Sequence, residues 1–505
     1  MRPTRRSLLQ SSALAGGTLL GLDTLGFLGA LNPVSADEAK LNPKLVQLDA
    51  SIEPTVRLLE ETPRDRLLEE VAARIRKGLS YREVLAALLL AGVRNVPPRP
   101  TVGFKFHAVL VVHSAHLASL ASPDADRWLP IFWALDYFKN SQGVAQRESD
   151  WRMAPVDESK MPSAGQARDA FVSAMEAWDE ERADAATAAM VRTLPRGAVF
   201  ELFARYAARD FRDIGHKTIF VAGAFRTLDC IGWHHAEPVL RSLAFALLKY
   251  DGQNPSKGDA APDRPWRRNS ERVARLNTSW SAGRPDDEAT AELLSVLRGG
   301  SPEEASAAAV EMMNSGVSPR SAWDAMLCGA GELLMRRRGI VALHAVTMTN
   351  AMHYCFHAPA SDETRKRLLL QNAAFLPMFR ASMGNNLDDV RIDRLEGEWS
   401  AASEDSVAGI FDGLEEDRLS AARHALGYLR AGRSADALMD GARRLIFLKG
   451  TNSHDYKFSS AALEDYHNVS PAWRDRFLAS SMFYFRGARA RDNALIGRAR
   501  AALGA

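Results

Sequence analysis

Cysteine is nearly missing from this chain: Cys230, Cys328 and Cys355 are the only three in 505 residues. Thiols so few and so scattered make no disulfide framework, and stability has to come from a packed core. An excess of either charge is missing too. Sixty-four Lys and Arg face 62 Asp and Glu, for a formal net charge of +2, which gives no electrostatic case for nucleic acid or an anionic membrane as partner. No run alternates polar and apolar residues with period two for long, and β-hairpin signals are absent, which argues against a sheet. After the N-terminal segment no stretch reaches the ~20 apolar residues of a membrane span, so no stable span is expected in the mature chain.

What is present is helix. The chain is 46% hydrophobic and 25% charged, an ordinary globular balance. Apolar residues recur at i, i+3, i+4 and i+7 through stretches such as "RDRLLEEVAARIRK" (64–77) and "YREVLAALLLAG" (81–92). An all-α fold is expected. Residues 251–286 and 384–403, rich in Pro, Gly, Asn and charge, read as loops.

The N-terminus opens "MRPTRRSLLQ", with Arg5 and Arg6 ahead of an apolar, Gly- and Ala-rich run and a small-x-small pattern at Val34-Ser35-Ala36. This resembles a twin-arginine export signal spanning 1–36. The resemblance implies the twin-arginine export machinery as a partner, a periplasmic or secreted location, and passage in the folded state, often with a cofactor already bound.

The mature chain repeats itself. "EEVAARIRKGLSYREVLAALLLAG" from Glu69, "SAAAVEMMNSGVSPRSAWDAMLCGAG" from Ser306 and "SAARHALGYLRAGRSADALMDGARRL" from Ser420 share one plan. Each is a helix, a glycine (Gly78, Gly316, Gly432), one residue, a serine (Ser80, Ser318, Ser434) and a second helix. That is the chemistry of a glycine stop followed by a serine N-cap. A more diverged copy fits 183–209, with Gly197 as its stop. After each pair the next helix opens on a histidine: His107, His216, His344 and His454, at intervals of 109, 128 and 110 residues. The long middle interval fits an insertion at 251–286. The expected organisation is repeats 1 and 2 in 37–250, a polar linker or insertion at 251–286, and repeats 3 and 4 in 287–505. These four pseudo-repeated hairpin units would pack around a central site as one combined domain, 37–505.

Equivalent positions in pseudo-symmetric units gather around a shared axis. Four imidazoles converging there are unfavourable when protonated and well used when neutral and bound to one cation; imidazole suits Fe, Zn, Cu and Ni. Other histidines compete. His353 and His357 form an H-x3-H pair and His113 and His116 an H-x2-H pair. At ~100° per residue, His353 points away from His344 and His116 away from His107, so both sets cannot line one site. Lys457, three residues after His454, shares its face. A buried lysine near positive charge loses its proton readily; it could then bind a metal directly or take up carbon dioxide as a carbamate, the other reading being a surface lysine. Asp455 reads as a helix cap, and Tyr456 as core or substrate wall.

Three stretches, "GHKTIFVAGAF", "LHAVTMTNA" and "SHDYKFSSAALEDY", resemble the questin oxidase-like family across roughly residues 100–480. The resemblance implies an all-helical enzyme that oxidises anthraquinone-type polyketides, with non-haem iron held by four histidines and a carboxylated lysine. Carried over, the ligands are His107, His216, His344, His454 and Lys457, with His113 or His116 as alternatives to His107. The chain departs from the family in its leader and in Phe220, where a second histidine is common.

The expected function is an exported, non-haem metal-dependent oxygenase. Iron is the expected cofactor, zinc or another transition metal the alternative. Dioxygen and an aromatic or quinone-like small molecule would be the substrates. Tyr456 and Lys457 would act at the reacting centre, and Tyr456, Trp233 and Thr347 would line its pocket. The rival readings are a zinc-dependent hydrolase, which four histidines and a lysine over-supply with ligands, and a non-catalytic helical-repeat binding protein.

Overall fold

The structure, a computed structural model, describes residues 44–98, 104–358, 361–399 and 406–504. The leader-like segment 1–36 lies outside them. Lys44–Ala505 forms one compact unit. The described residues hold 22 α-helices and no strand, which makes the fold all-α; one isolated bridge joins Arg284 to Val317. No helix among them is long and apolar enough to cross a membrane.

Four helices form the centre: His107–Leu120, His216–Ile231, Ile340–His357 and Ser453–Asn468. Each packs along two of the others, so that they close into a ring in the order of the chain. All four run the same way. His107, His216 and His344 meet at the top, His113 meets Arg226 lower down, and Ser460 Oγ donates to Ser114 O at 3.1 Å. Asn350 reaches Glu464 beyond that. Helices buried on nearly every side carry apolar residues all round, as "HAVLVVHSAHLASL" does.

An outer layer surrounds this barrel. Each inner helix packs against the helix before it (Tyr81–Asn95, Arg196–Ala207, Pro319–Arg336 and Ala435–Lys449) and the helix after it (Leu129–Glu148, Ala236–Leu247, Asp362–Ser382 and Arg474–Ser480). Three of the turns leading into the preceding helices have the expected chemistry. Gly78, Gly316 and Gly432 sit at φ of +104°, +92° and +72°, where a side chain is strained. Ser80, Ser318 and Ser434 then cap the following helix through backbone N–H groups. The fourth turn differs. Gly197 is no stop but lies inside the helix Arg196–Ala207, and Pro195 makes the boundary instead, since its fixed φ and missing N–H suit a helix start.

The polar stretch 251–286 is partly folded. It contains the helix Arg264–Val273, whose Asn269 donates to Gln371 Oε1 at 2.8 Å, and Asp263 accepts two hydrogen bonds from Arg212. Arginine and asparagine spent on buried partners look, in sequence, like solvated loop.

Candidate metal centre

All four expected histidines stand in the first turn or so of their helices. His107 and His216 are first residues, His454 is second and His344 fifth. Side chains in a helix lean toward its N-terminus, so four parallel helices aim these rings into one space at the top of the barrel. The rings follow each other around it. Centroids lie 4.9 Å apart from His107 to His216, 4.4 Å from His216 to His344, 5.3 Å from His344 to His454 and 4.8 Å from His454 back to His107. Ligand nitrogens of His107, His344 and His454 fall within 4.8 Å of one another. His216 joins them with Nε2 3.1 Å from His107 Nε2 and 3.0 Å from His344 Nε2.

The far ring atoms decide what the near ones can do. His216 Nδ1 donates to Asp213 O at 2.6 Å, and His344 Nδ1 to Ile340 O at 2.7 Å. A neutral imidazole has one N–H, so both Nε2 atoms present lone pairs, at 3.0 Å from each other. Lone pairs so placed repel unless a proton or a metal ion lies between them. Protonation is opposed: burial first, then Lys457, holds His216 and His344 well below the usual histidine range and takes His454 down to about 3. Lys457 is buried, and burial lowers its ammonium to about 7; its Nζ stands 3.4 Å from His216 Nε2 and 3.3 Å from His344 Nε2.

These residues fit a metal ion, and the spacing speaks to its geometry. With metal–nitrogen bonds of about 2.1 Å, neighbouring nitrogens stand about 3.4 Å apart around a tetrahedral ion but about 3.0 Å apart where bonds meet at right angles. The 3.0 and 3.1 Å between histidine nitrogens are nearer the second value, and the 3.3 and 3.4 Å to Lys457 Nζ nearer the first. The five nitrogen donors bring no negative charge. Four helix N-termini converge on the same space, each worth about half a positive charge. A divalent ion held there calls for an anionic ligand besides.

A strained turn places His216. Asp213 and Ile214 adopt left-handed conformations at φ of +53° and +46°, followed by Gly215 at +84°, where a Cβ would collide with Met348. Lys249 Nζ clamps the Asp213 carboxylate at 2.6 Å, while the Asp213 carbonyl accepts the hydrogen bond from His216 Nδ1–H. Nothing in the spacing of the motifs pointed to this turn. An Asp-Ile-Gly triplet ahead of His216 was its only trace. Asp455 is a cap, as expected: it closes a capping box with Asn452 and pairs with Arg486 at 2.8 Å.

The remaining expected residues divide. Thr347 and Lys457 line the narrow lumen of the barrel, as does His113. Tyr456 turns away from the histidines; its ring stacks on Trp133 at 4.2 Å and its buried hydroxyl has no partner. It lines instead a 340 Å³ cavity with Leu117, Ile446, Phe447 and Leu463. Trp233 does not belong to the site. It lies past the C-terminal end of His216–Ile231, about 24 Å along the axis at 1.5 Å per residue, and packs on Phe225. His116 shares a hydrogen bond with the Tyr81 hydroxyl at 2.9 Å and His113 Nε2 faces Arg226 Nη1 at 3.4 Å, so neither takes the place of His107. His353 and His357 meet each other at 3.0 Å and border a separate 450 Å³ cavity. No protein family, curated protein or solved structure matches this chain.

Proposed function

We propose that the chain is a non-haem metal-dependent oxygenase of the questin oxidase-like kind. Iron would be held by His107, His216, His344 and His454, with Lys457 as a fifth ligand, its nitrogen bound directly or carried as a carbamate. One observation supports this above the rest: Nε2 lone pairs of His216 and His344 fixed 3.0 Å apart in a buried space that resists protonation. The supply of five nitrogen donors, more than a catalytic zinc takes, favours iron or a similar ion over tetrahedral zinc, and so favours the oxygenase over the zinc hydrolase. A ring of four histidines and a lysine leaves one position of an octahedron open. Bound there, the metal supplies activation of dioxygen. The chain's own residues hold the ion, exclude bulk water and keep the donors neutral. The four histidine-headed helices are read as equivalents of one repeated unit. The leader-like 1–36 supports export of the folded, metal-loaded protein.

The organic substrate would be an aromatic or quinone-like small molecule. The 340 Å³ cavity beside Tyr456, on the flank of the helix that carries His454 and Lys457, has the size for a fused ring, with Leu117, Phe447 and Leu463 for its faces and Arg443 and Glu464 for its polar groups. The test is metal analysis of the purified protein by mass spectrometry, followed by dioxygen uptake with hydroxyanthraquinones. The expected result is one iron per chain and quinone-dependent uptake, both lost in His216→Ala. Stoichiometric zinc with no uptake would overturn the proposal.

A further inference from the structure

The barrel is hollow below the metal centre. Its lumen is walled by all four inner helices, begins at Lys457 and holds a cavity of about 30 Å³, enough for one water-sized molecule and too small for an aromatic ring. Small side chains leave this space: Ala222 and Gly223 on one helix, Ala351 on the next, Ser460 and Ala461 on the third. At the bottom stands Arg226, which ties its helix to the other three. Its Nη1 meets Glu464 Oε2 at 2.9 Å and His113 Nε2 at 3.4 Å, and its guanidinium lies 4.0 Å over the Tyr354 ring. Asn350 closes the same mouth by donating to Glu464 and Asp465.

His113 gives the lumen a polar point. Arg226 can only donate, so His113 Nε2 accepts and its Nδ1 carries the hydrogen. That buried Nδ1–H has no acceptor in the protein. A buried donor left unpaired is destabilising, and a small guest able to accept a hydrogen bond would relieve it.

We propose that this lumen is a route and waiting site for a small neutral molecule, dioxygen in the oxygenase reading, and that Arg226 is its gate. The inference rests on that reading for the identity of the guest. Dioxygen passes from the Arg226 mouth, past His113 and between Thr347 and Ile219, to the centre at Lys457. No covalent step is involved.

Two substitutions act in opposite directions. Arg226→Ala opens the mouth. Gly223→Val fills the lumen; a Cβ at 223 meets nothing nearer than His113 Cβ at 3.6 Å, so Gly223→Ala is the milder fallback if the valine variant fails to fold. The readout is the rate at which nitric oxide, a diatomic probe, binds the ferrous protein, followed by stopped-flow absorbance. Arg226→Ala should speed binding severalfold and Gly223→Val should slow it severalfold, both with the iron content of the unaltered protein. Rates equal to the unaltered protein's in both variants would overturn the route. A chain that binds no iron fails the oxygenase reading instead, and the lumen is then tested alone by xenon-pressurised crystals. A xenon site between Leu110, Ile219 and Ala461 that disappears in Gly223→Val supports the route; an empty lumen in the unaltered protein contradicts it.

Discussion

At the scale of the residue, burial without charge compensation sets the behaviour of the centre. Lys457 in the metal-free fold is lowered to about 7 from 10.5 by desolvation. Between those values the unfolded chain holds a proton that the folded chain has lost, so stability rises with pH across that window. Below pH 7 the penalty is constant, and above 10.5 it is gone. Lys457→Met, of similar length and without the amine, should flatten the slope of unfolding free energy between pH 7 and 10. It should also raise stability at pH 7 by an amount on the order of a few kcal/mol, measured by urea titration of the metal-free protein. Asp465 has the opposite sign. Burial raises it to about 7; Oδ1 accepts from Asn350 and Asn468, while the buried Oδ2 has no partner to stabilise a charge. Here the folded state holds the extra proton, so stability falls as pH rises from about 4 to 7 and stays low above. Asp465→Asn keeps the shape and should remove that fall, leaving the variant more stable than the parent at pH 8.

At the scale of the element, local rules and tertiary demands separate. Gly316 at φ +92° has no atom within 4 Å of where a Cβ would sit. Gly316→Ala should therefore cost about 1–2 kcal/mol in thermal unfolding through backbone strain alone, with metal content unchanged. Turns of this kind were legible in the sequence because a left-handed stop and a serine cap each demand particular residues. Gly197 was misread for the same reason: a proline boundary can replace a glycine one, and the letters alone do not say which of two neighbours does the stopping. The turn ahead of His216 was not legible, because Lys249, which holds Asp213, is 36 residues away. Lys249→Met should loosen this turn and weaken metal affinity by about 10–100-fold, measured by competition with a chromogenic chelator, while His344 keeps its own backbone partner.

At the scale of the whole molecule, the recurrence of His107, His216, His344 and His454 at the heads of four helices was legible in the sequence, and the fold brings the four rings together. Closure of the barrel, its parallel direction and its lumen were not. They depend on contacts such as Arg226 with Glu464 and Ser460 with Ser114, which lie hundreds of residues apart. Trp233 shows the same limit: it follows the helix His216–Ile231 closely in sequence, yet the length of that helix carries it away from the centre. The helix at Arg264–Val273 was hidden by its polar composition, although Asn269 and Asp263 are buried against partners. One compact unit from Lys44 onward thus gathers a buried nitrogen-lined centre from four distant segments. Crystals of the protein purified without added metal, with anomalous scattering recorded on both sides of the iron edge, test that centre most directly. One iron peak is expected at the top of the barrel, within bonding distance of all four histidine Nε2 atoms. No peak there, with the rings hydrogen-bonded to each other, or a peak only between His353 and His357, would contradict it.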